Sequence, residues 1–328
     1  MSKNFDIIRF IFRRIPRVSR NWILFVSAVI VSLIWITYVN RTPINDSKVL
    51  TADFSNSDLL FDFLNVGNAD CAIVHNKDTV IIIDGGKRLT DDKVVSFLKD
   101  EVFKNMNRNK EINLMVLTHP HEDHYGGLVK IVSTFDVKRF ITSNLEVDFS
   151  THAGLKKLFD ILDGRKIKIE HPKCGDHFKF GGIKVDILGP IKKDKENVNN
   201  NSIVLKISYA GKRFLFTGDA EKPEERDLIN SNQDLSADVI KIGHHGSKTS
   251  TSEKFLFKVH PRFAVISAED ERYPYPSVVK AFNSYSSSVN GQFDYFITRD
   301  FDQSVRFAIT ESGELKAPRV DRTRKEAA

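Results

Sequence analysis

Short apolar runs alternate along most of this chain with segments of helical period. Leu59–Leu64, Cys71–His75 and Thr79–Asp84 are compact, largely aliphatic runs that predict buried strands, and Asp84-Gly85-Gly86 ends the third. Thr90–Phe103 follows with Val94, Val95, Leu98 and Val102 on one face at helical spacing. Thr90 is a candidate cap there, and Asp91 and Asp92 suit the first turn of the helix. Further strands are expected at Asn113–Leu117, Ala237–Ile242, Phe263–Ser267, Tyr295–Thr298 and Val305–Thr310. Hairpins are expected to turn at Gly181-Gly182 within Phe178–Leu188, and at Ala210-Gly211-Lys212 between Ser202–Tyr209 and Arg213–Phe216. Helices are expected at Lys130–Thr134, Ala153–Leu162, Pro223–Ile229, Ser252–Val259 and Ser277–Phe282. Strands come first, then mixed elements, then strands again. That order predicts a two-sheet α/β sandwich instead of one parallel sheet.

One apolar run breaks this rhythm. Trp22–Val39 has 18 residues without a charge, about 27 Å as a helix, close to the hydrocarbon thickness of a bilayer. Trp22, Trp35 and Tyr38 lie near its ends, where interfacial aromatics are favoured. The run is longer than a signal-peptide core and no A-x-A site follows it, so an uncleaved anchor over residues 22–39 is expected. Six basic residues precede it, which predicts a basic cytoplasmic tail at 1–21, a linker at 40–57 and the rest of the chain outside the cytoplasmic membrane. Residues 58–315 form the expected folded domain, and the charged residues 316–328 a disordered tail.

Charge changes the picture once it is located. The chain of 328 residues carries a formal +6, but residues 1–41 hold seven basic residues and one acid, and the remainder is balanced at forty-two of each. The basic character belongs to the N-terminal tail, so it gives no argument for nucleic-acid binding by the body. Two cysteines are too few for a disulfide scaffold. Cys71 lies in an apolar strand and reads as a core residue, and spacing gives no support to a bridge with Cys174.

The candidate chemistry lies at three strand ends. Leu117-Thr118 leads into His119-Pro120-His121-Glu122-Asp123-His124. Neutral imidazole and carboxylate are ligands for zinc or a similar divalent ion, and alternate residues on a loop can converge on one point. His119 and His121 can hold one ion, with Asp123 and His124 facing a second. The strand Phe214–Phe216 delivers Asp219, which could bridge two ions. A third apolar strand ends in Gly243-His244-His245-Gly246-Ser247. His75, His152, His171, His177 and His260 are scattered and read as structural or surface residues.

Together these three segments resemble the metallo-β-lactamase superfamily, and within it the extracellular hydrolase domain of ComEC-type competence proteins and phosphorylcholine esterases. Leu64-Asn65-Val66-Gly67-Asn68-Ala69-Asp70, Ile83-Asp84-Gly85-Gly86, Asn200-Asn201-Ser202 and Lys241–Ser250 support the resemblance, which covers roughly residues 58–312. It implies a four-layer αββα sandwich with a dinuclear metal site of zinc or manganese at the strand ends. On this pattern Asp123 and Asp219 are the catalytic carboxylates, Asp219 bridges, His244 is a ligand and His245 lines the pocket. Asp84 would support the metal loop from behind. Ser247, Lys248, Asn201 and Tyr273 are candidate substrate contacts, with ordinary loop polarity as the alternative reading.

The sequence also departs from the family pattern. Asn200-Asn201-Ser202 stands where many members place a histidine, a feature shared with the ComEC-like branch. Asn65 replaces that branch's first aspartate. Tyr273 or Tyr275 stands where a late histidine is expected, which makes a phenol the candidate donor to the transition state.

Two cations about 3.5–4 Å apart activate water and stabilise a developing oxyanion. The resemblance to the ComEC-type domain implies that this chemistry is hydrolysis of a phosphodiester, with DNA as a candidate substrate. A phosphorylcholine-type esterase and a non-catalytic binding protein with a degenerate site are the alternatives. No protein partner follows from the sequence.

Overall fold

The computed structural model describes residues 49–320, apart from 51, 52, 55, 107–109, 145–149 and 151. The expected anchor at 22–39 and cytoplasmic tail at 1–21 lie outside the described residues. Among the described residues no helix is long and apolar enough to cross a membrane.

The first sheet is built from β1 (Ser57–Leu64), β2 (Ala72–His75), β3 (Val80–Ile83), β4 (Leu114–Leu117), β5 (Phe140–Thr142) and β6 (Ile169–Glu170). The second has β7 (His177–Phe180), β8 (Ile183–Gly189), β9 (Val204–Tyr209), β10 (Lys212–Phe216), β11 (Val239–Lys241), β12 (Phe263–Ile266) and β13 (Asp294–Ile297). The chain then returns to the first sheet with β14 (Ser304–Thr310) and β15 (Leu315–Lys316). The orders are β15-β14-β1-β2-β3-β4-β5-β6 and β7-β8-β9-β10-β11-β12-β13. Both sheets are mixed: β3, β4, β5 and β6 run parallel, as do β10, β11, β12 and β13.

Strand alternation decides what lies between the layers. On β1, Phe61 and Phe63 point to the second sheet, where Phe61 stacks on Phe214 with centroids 3.6 Å apart and Phe63 on Phe216 at 5.6 Å. The opposite face of the first sheet is covered by α1 (Asp91–Phe97), α3 (Leu128–Thr134) and α4 (Ala153–Gly164), whose Val94, Leu128, Ile131, Leu155 and Leu158 pack against Ile73, Ile82 and Met115. A single turn, α2 (Glu122–Tyr125), lies between α1 and α3. On the second sheet α5 (Lys222–Asn230), α6 (Glu253–Val259) and α7 (Pro276–Ser288) bring Leu228, Phe255, Leu256, Val278 and Phe282 onto Leu215, Ile240, Ala264 and Ile266. The result is the two-sheet sandwich that the order of elements predicts, in the helix–sheet–sheet–helix layering that the resemblance implies.

Several local expectations change. The helix expected over Thr90–Phe103 is α-helical only to Phe97 and continues as a wider π turn, Leu98–Val102. Thr90 does not cap it: its hydroxyl donates instead to the Lys87 carbonyl at 2.9 Å. Helix α7 runs six residues past Phe282 because Tyr285 adds a buried ring, its hydroxyl donating to the Pro261 carbonyl at 3.0 Å. Strands β5 and β6 were not expected, since three and two residues carry no readable alternation. Within the expected linker Val49–Leu50 is a strand, and within the expected tail Lys316 pairs with Ala308. Cys71 is buried as expected, and both cysteines are free.

Candidate metal centre

Parallel pairing places the ends of β3 and β4 together, and likewise β10 and β11. The loops that leave those ends carry Asp84, the 119–124 cluster, Asp219 and the His244-His245 pair. Two of the loops touch closely: Gly85 N donates to the His124 carbonyl at 2.7 Å, and a Cβ on Gly127 would fall 2.0 Å from the Gly85 oxygen. Only glycine permits that approach.

Asp219 is the centre of the arrangement. One carboxylate oxygen, Oδ2, lies 3.6 Å from His119 Nε2 and 3.9 Å from His244 Nε2. The other, Oδ1, lies 3.4 Å from His124 Nε2 and 3.8 Å from His245 Nε2. His119, His121 and Asp219 offer ligand atoms all within 4.8 Å of one another, and so do Asp123, His124 and His245. His119 Nε2 and His121 Nδ1 converge to 3.0 Å. The expected pairings, His119 with His121 and Asp123 with His124, are therefore brought together with Asp219 between them.

The last two histidines reach Asp219 from opposite sides, His244 at Oδ2 and His245 at Oδ1. His245, expected to line the pocket, is buried with Nε2 3.2 Å from Asp123 Oδ2. His244, expected as the ligand, is more exposed and turns its Nδ1 to Thr249 Oγ1 at 3.1 Å and Glu221 Oε1 at 3.2 Å. The reason is backbone geometry: His244, His245 and Gly246 are all left-handed, with φ of 48°, 54° and 81°, so neighbouring rings diverge to opposite sides of Asp219. Such strain in non-glycine residues persists only where the surroundings enforce it. Here Tyr275 N donates to the Gly246 carbonyl at 2.9 Å, and His245 Nδ1 donates to the Ser267 carbonyl at 2.9 Å.

Asp84 sits behind the cluster as expected. Its Oδ1 accepts from Thr118 N, and its Oδ2 from Thr118 Oγ1 and His124 Nδ1, each at 2.8 Å. That bond leaves His124 Nε2 to face Asp219.

The proposed substrate contacts fare differently. Asn201 spends both ends of its amide on the Asp194 backbone, accepting from N at 2.8 Å and donating to O at 2.7 Å, so it braces its own loop. Ser247 is buried and meets Thr249 Oγ1 at 3.1 Å, which ties it to the His244 turn instead of an open face. Lys248 is exposed. Tyr273 is half-buried, and burial together with the charges of Tyr275, Asp270 and Asp219 raises its phenol pKa. Asp70 and Glu221 were given no role from sequence. Asp70 had a signal in its place at the end of the Leu64–Asp70 motif, whereas Glu221 had none beyond its nearness to Asp219.

The electrostatics suit cation binding. Burial pushes His119 well below the usual imidazole range and lowers His121. Burial opposes the charge on Asp219, yet His124, His245 and His119 hold its carboxyl well below the usual carboxylate range. Burial also works against charged His124 and His245; Asp219 and Asp84 overcome it at His124, and Asp219 and Asp70 take His245 to about 9. His124 Nε2 and Asp219 Oδ1 are buried without a hydrogen-bond partner. Buried polar atoms are nearly always satisfied. Two orphaned ligand-type atoms that face one another fit a divalent cation bound between imidazole and carboxylate.

Residues 64–268 match the model of the metallo-beta-lactamase superfamily. The chain belongs to this superfamily. Among curated relatives it is similar to ComE operon protein 3 of Bacillus subtilis (strain 168), with 30% identity over 260 residues, covering 71% of this chain and 32% of the relative. It is also similar to Recombination protein 2 of Haemophilus influenzae, at 26% over 235 residues, 70% of this chain and 27% of the relative. Competence protein ComA of Neisseria gonorrhoeae is 23% identical over 266 residues, 76% of this chain and 35% of the relative. The chain thus spans about a third of the length of the curated relatives it matches.

Proposed function

We propose that this protein is a membrane-anchored, metal-dependent phosphodiesterase. The observation that carries the reading is the division of Asp219: one oxygen faces His119 and His244, the other His124 and His245. His119, His121 and Asp219 would hold one ion, and Asp123, His124, His245 and Asp219 a second, with zinc or manganese suited to both sets. Such a pair supplies an activated water and charge stabilisation for an in-line displacement. The chain's own residues do the rest. Asp84 fixes the ring of His124 through Nδ1, Ser267 fixes that of His245, and Thr249 orients His244. Tyr273, near enough for the Asp219 charge to act on its phenol, would be the donor to the departing oxygen in place of a histidine. Exposed Lys248 and Lys222 flank the His244 side and favour an anionic substrate. The relatives' names refer to competence and recombination, which points to the phosphodiester of DNA. Residues 22–39 would anchor the chain in the cytoplasmic membrane with the hydrolase domain outside.

The test is a substrate panel on the full chain in detergent, loaded with zinc or manganese. Single-stranded DNA and bis-p-nitrophenyl phosphate should be cleaved, p-nitrophenyl phosphorylcholine and a cephalosporin spared. Cleavage of the phosphorylcholine ester alone would transfer the reading to an esterase. No hydrolysis by a chain that binds two ions would make it a binding protein. Labelling of the 42–328 portion from the cytoplasmic side of intact cells would overturn the topology.

A further inference from the structure

A buried ion pair lies directly beneath the centre. Lys241 Nζ is 2.8 Å from Asp70 Oδ2, with the two side chains only 4% and 7% exposed. Lys241 is the last residue of β11, and the same ammonium donates to the Ile242 carbonyl at 2.8 Å. Asp70 comes from the first sheet, in the loop between β1 and β2, so the pair joins the two sheets under the metal loops. Burying two charges costs several kcal/mol per ion, and apolar replacements of such pairs are often neutral or stabilising. Stability is therefore a weak reason for this pair to exist.

What Asp70 touches suggests another reason. Its free oxygen, Oδ1, lies 3.4 Å from His245 Nδ1, the nitrogen that donates to the Ser267 carbonyl. Its backbone N donates to the Asp123 carbonyl at 3.1 Å, and its carbonyl accepts from Gly86 N at 2.7 Å. Asp70 thus reaches two of the four ligands of the second set, Asp123 and His245, and the loop that follows Asp84. The first set has no such brace among the contacts described: His119 Nδ1 meets only the Thr118 hydroxyl, at 3.2 Å.

We infer that Asp70 and Lys241 are positioning residues for the second ion alone: Lys241 holds the Asp70 carboxylate in place, and Asp70 holds His245 and the Asp123 loop in ligating geometry. The inference rests on the dinuclear reading above. A carboxylate behind a ligating histidine fixes its ring and raises its basicity, and loss of such a partner costs about 10–100-fold in metal affinity.

The experiment is calorimetric titration of the metal-stripped full chain with zinc and with manganese, checked by metal content per chain. The wild type should take up two ions. Asp70→Asn should weaken the second by about 10–100-fold and leave the first unchanged. The double variant Asp70→Asn/Lys241→Met removes both charges without stranding either; it should unfold in urea near the wild-type midpoint yet show the same selective loss. In a His245→Ala background, Asp70→Asn should cause less additional loss than it does alone. Wild-type affinity for both ions in the double variant would overturn the inference, as would equal weakening of both ions, or a double variant that does not fold. A wild-type chain that binds fewer than two ions would instead sink the dinuclear reading, before any variant is made.

Discussion

The Asp219 rim and the Asp62 cluster are built from the same residue types and behave oppositely. Asp62, on β1, is fully buried, and both of its oxygens are used. Oδ1 accepts from Ser304 Oγ and Arg306 Nε, each at 2.7 Å, and Oδ2 from His75 Nε2 at 3.1 Å and Arg306 Nη2 at 3.2 Å. Burial opposes its charge, but His75 and Arg306 lower its pKa all the same. At the rim, three acids (Asp70, Asp123 and Asp219) and five histidines crowd together with no guanidinium, and His124 Nε2, Asp219 Oδ1 and Asp70 Oδ1 are left without hydrogen bonds. A histidine beside a buried aspartate is thus uninformative by itself. Whether every polar atom is satisfied separates a structural knot from a site that awaits a ligand.

Removing each carboxylate is the most direct way to break this contrast. Asp219→Ala should abolish hydrolysis and reduce bound metal from two ions to at most one, as read by turnover and metal analysis. Retained turnover would place the chemistry elsewhere. Asp62→Ala should do the converse. It strands Arg306 and His75 and should cost about 3–5 kcal/mol in urea unfolding, with metal content per folded chain unchanged.

Metal removal sharpens the contrast from the side of the ligand. Chelation should lower the thermal midpoint, and restoring an ion at 100 times its dissociation constant should return about 2.7 kcal/mol. In Asp219→Ala the same additions should shift the midpoint far less, whereas in Asp62→Ala they should shift it as in the wild type.

A third buried carboxylate extends the contrast to pH. Among the described residues Glu224 meets neither a guanidinium nor a ring of imidazoles; its Oε1 accepts from Ile191 N at 2.8 Å, and burial takes its pKa from 4.5 to about 8. Between those values the folded chain holds a proton that the unfolded chain has lost. Stability should therefore fall as pH rises from about 4.5 to about 8, by at most about 1.4 kcal/mol per pH unit. Urea midpoints across that window should show a shallower slope for Glu224→Gln.

Much of the fold was legible because long apolar strands and turn glycines act locally. The hairpins at Gly181-Gly182 and Ala210-Gly211-Lys212 and most helices lie within a few residues of expectation. Strands β5 and β6 were not, since their identity comes from pairing with β4 and with each other and not from their own composition. The site divides in the same way. The HxHxDH run, Asp219 and the paired histidines were readable as ligand types at strand ends, and Asp84 as their support. Asn201 and Ser247 stayed open between substrate contact and loop polarity, because a polar side chain's partner is set by the fold of its loop and not by its type.

From sequence alone came the ligand chemistry, its delivery on three strand ends and the family, since residue type and local period carry that information. Tertiary structure decided how the ligands are shared. Left-handed backbone at 244–246 sent His245 inward and His244 outward. The approach of the two sheets set one oxygen of Asp219 against each group of histidines, and put Asp70 from one sheet against Lys241 from the other. Those relations depend on distances between residues far apart along the chain, and only packing brings such residues within reach.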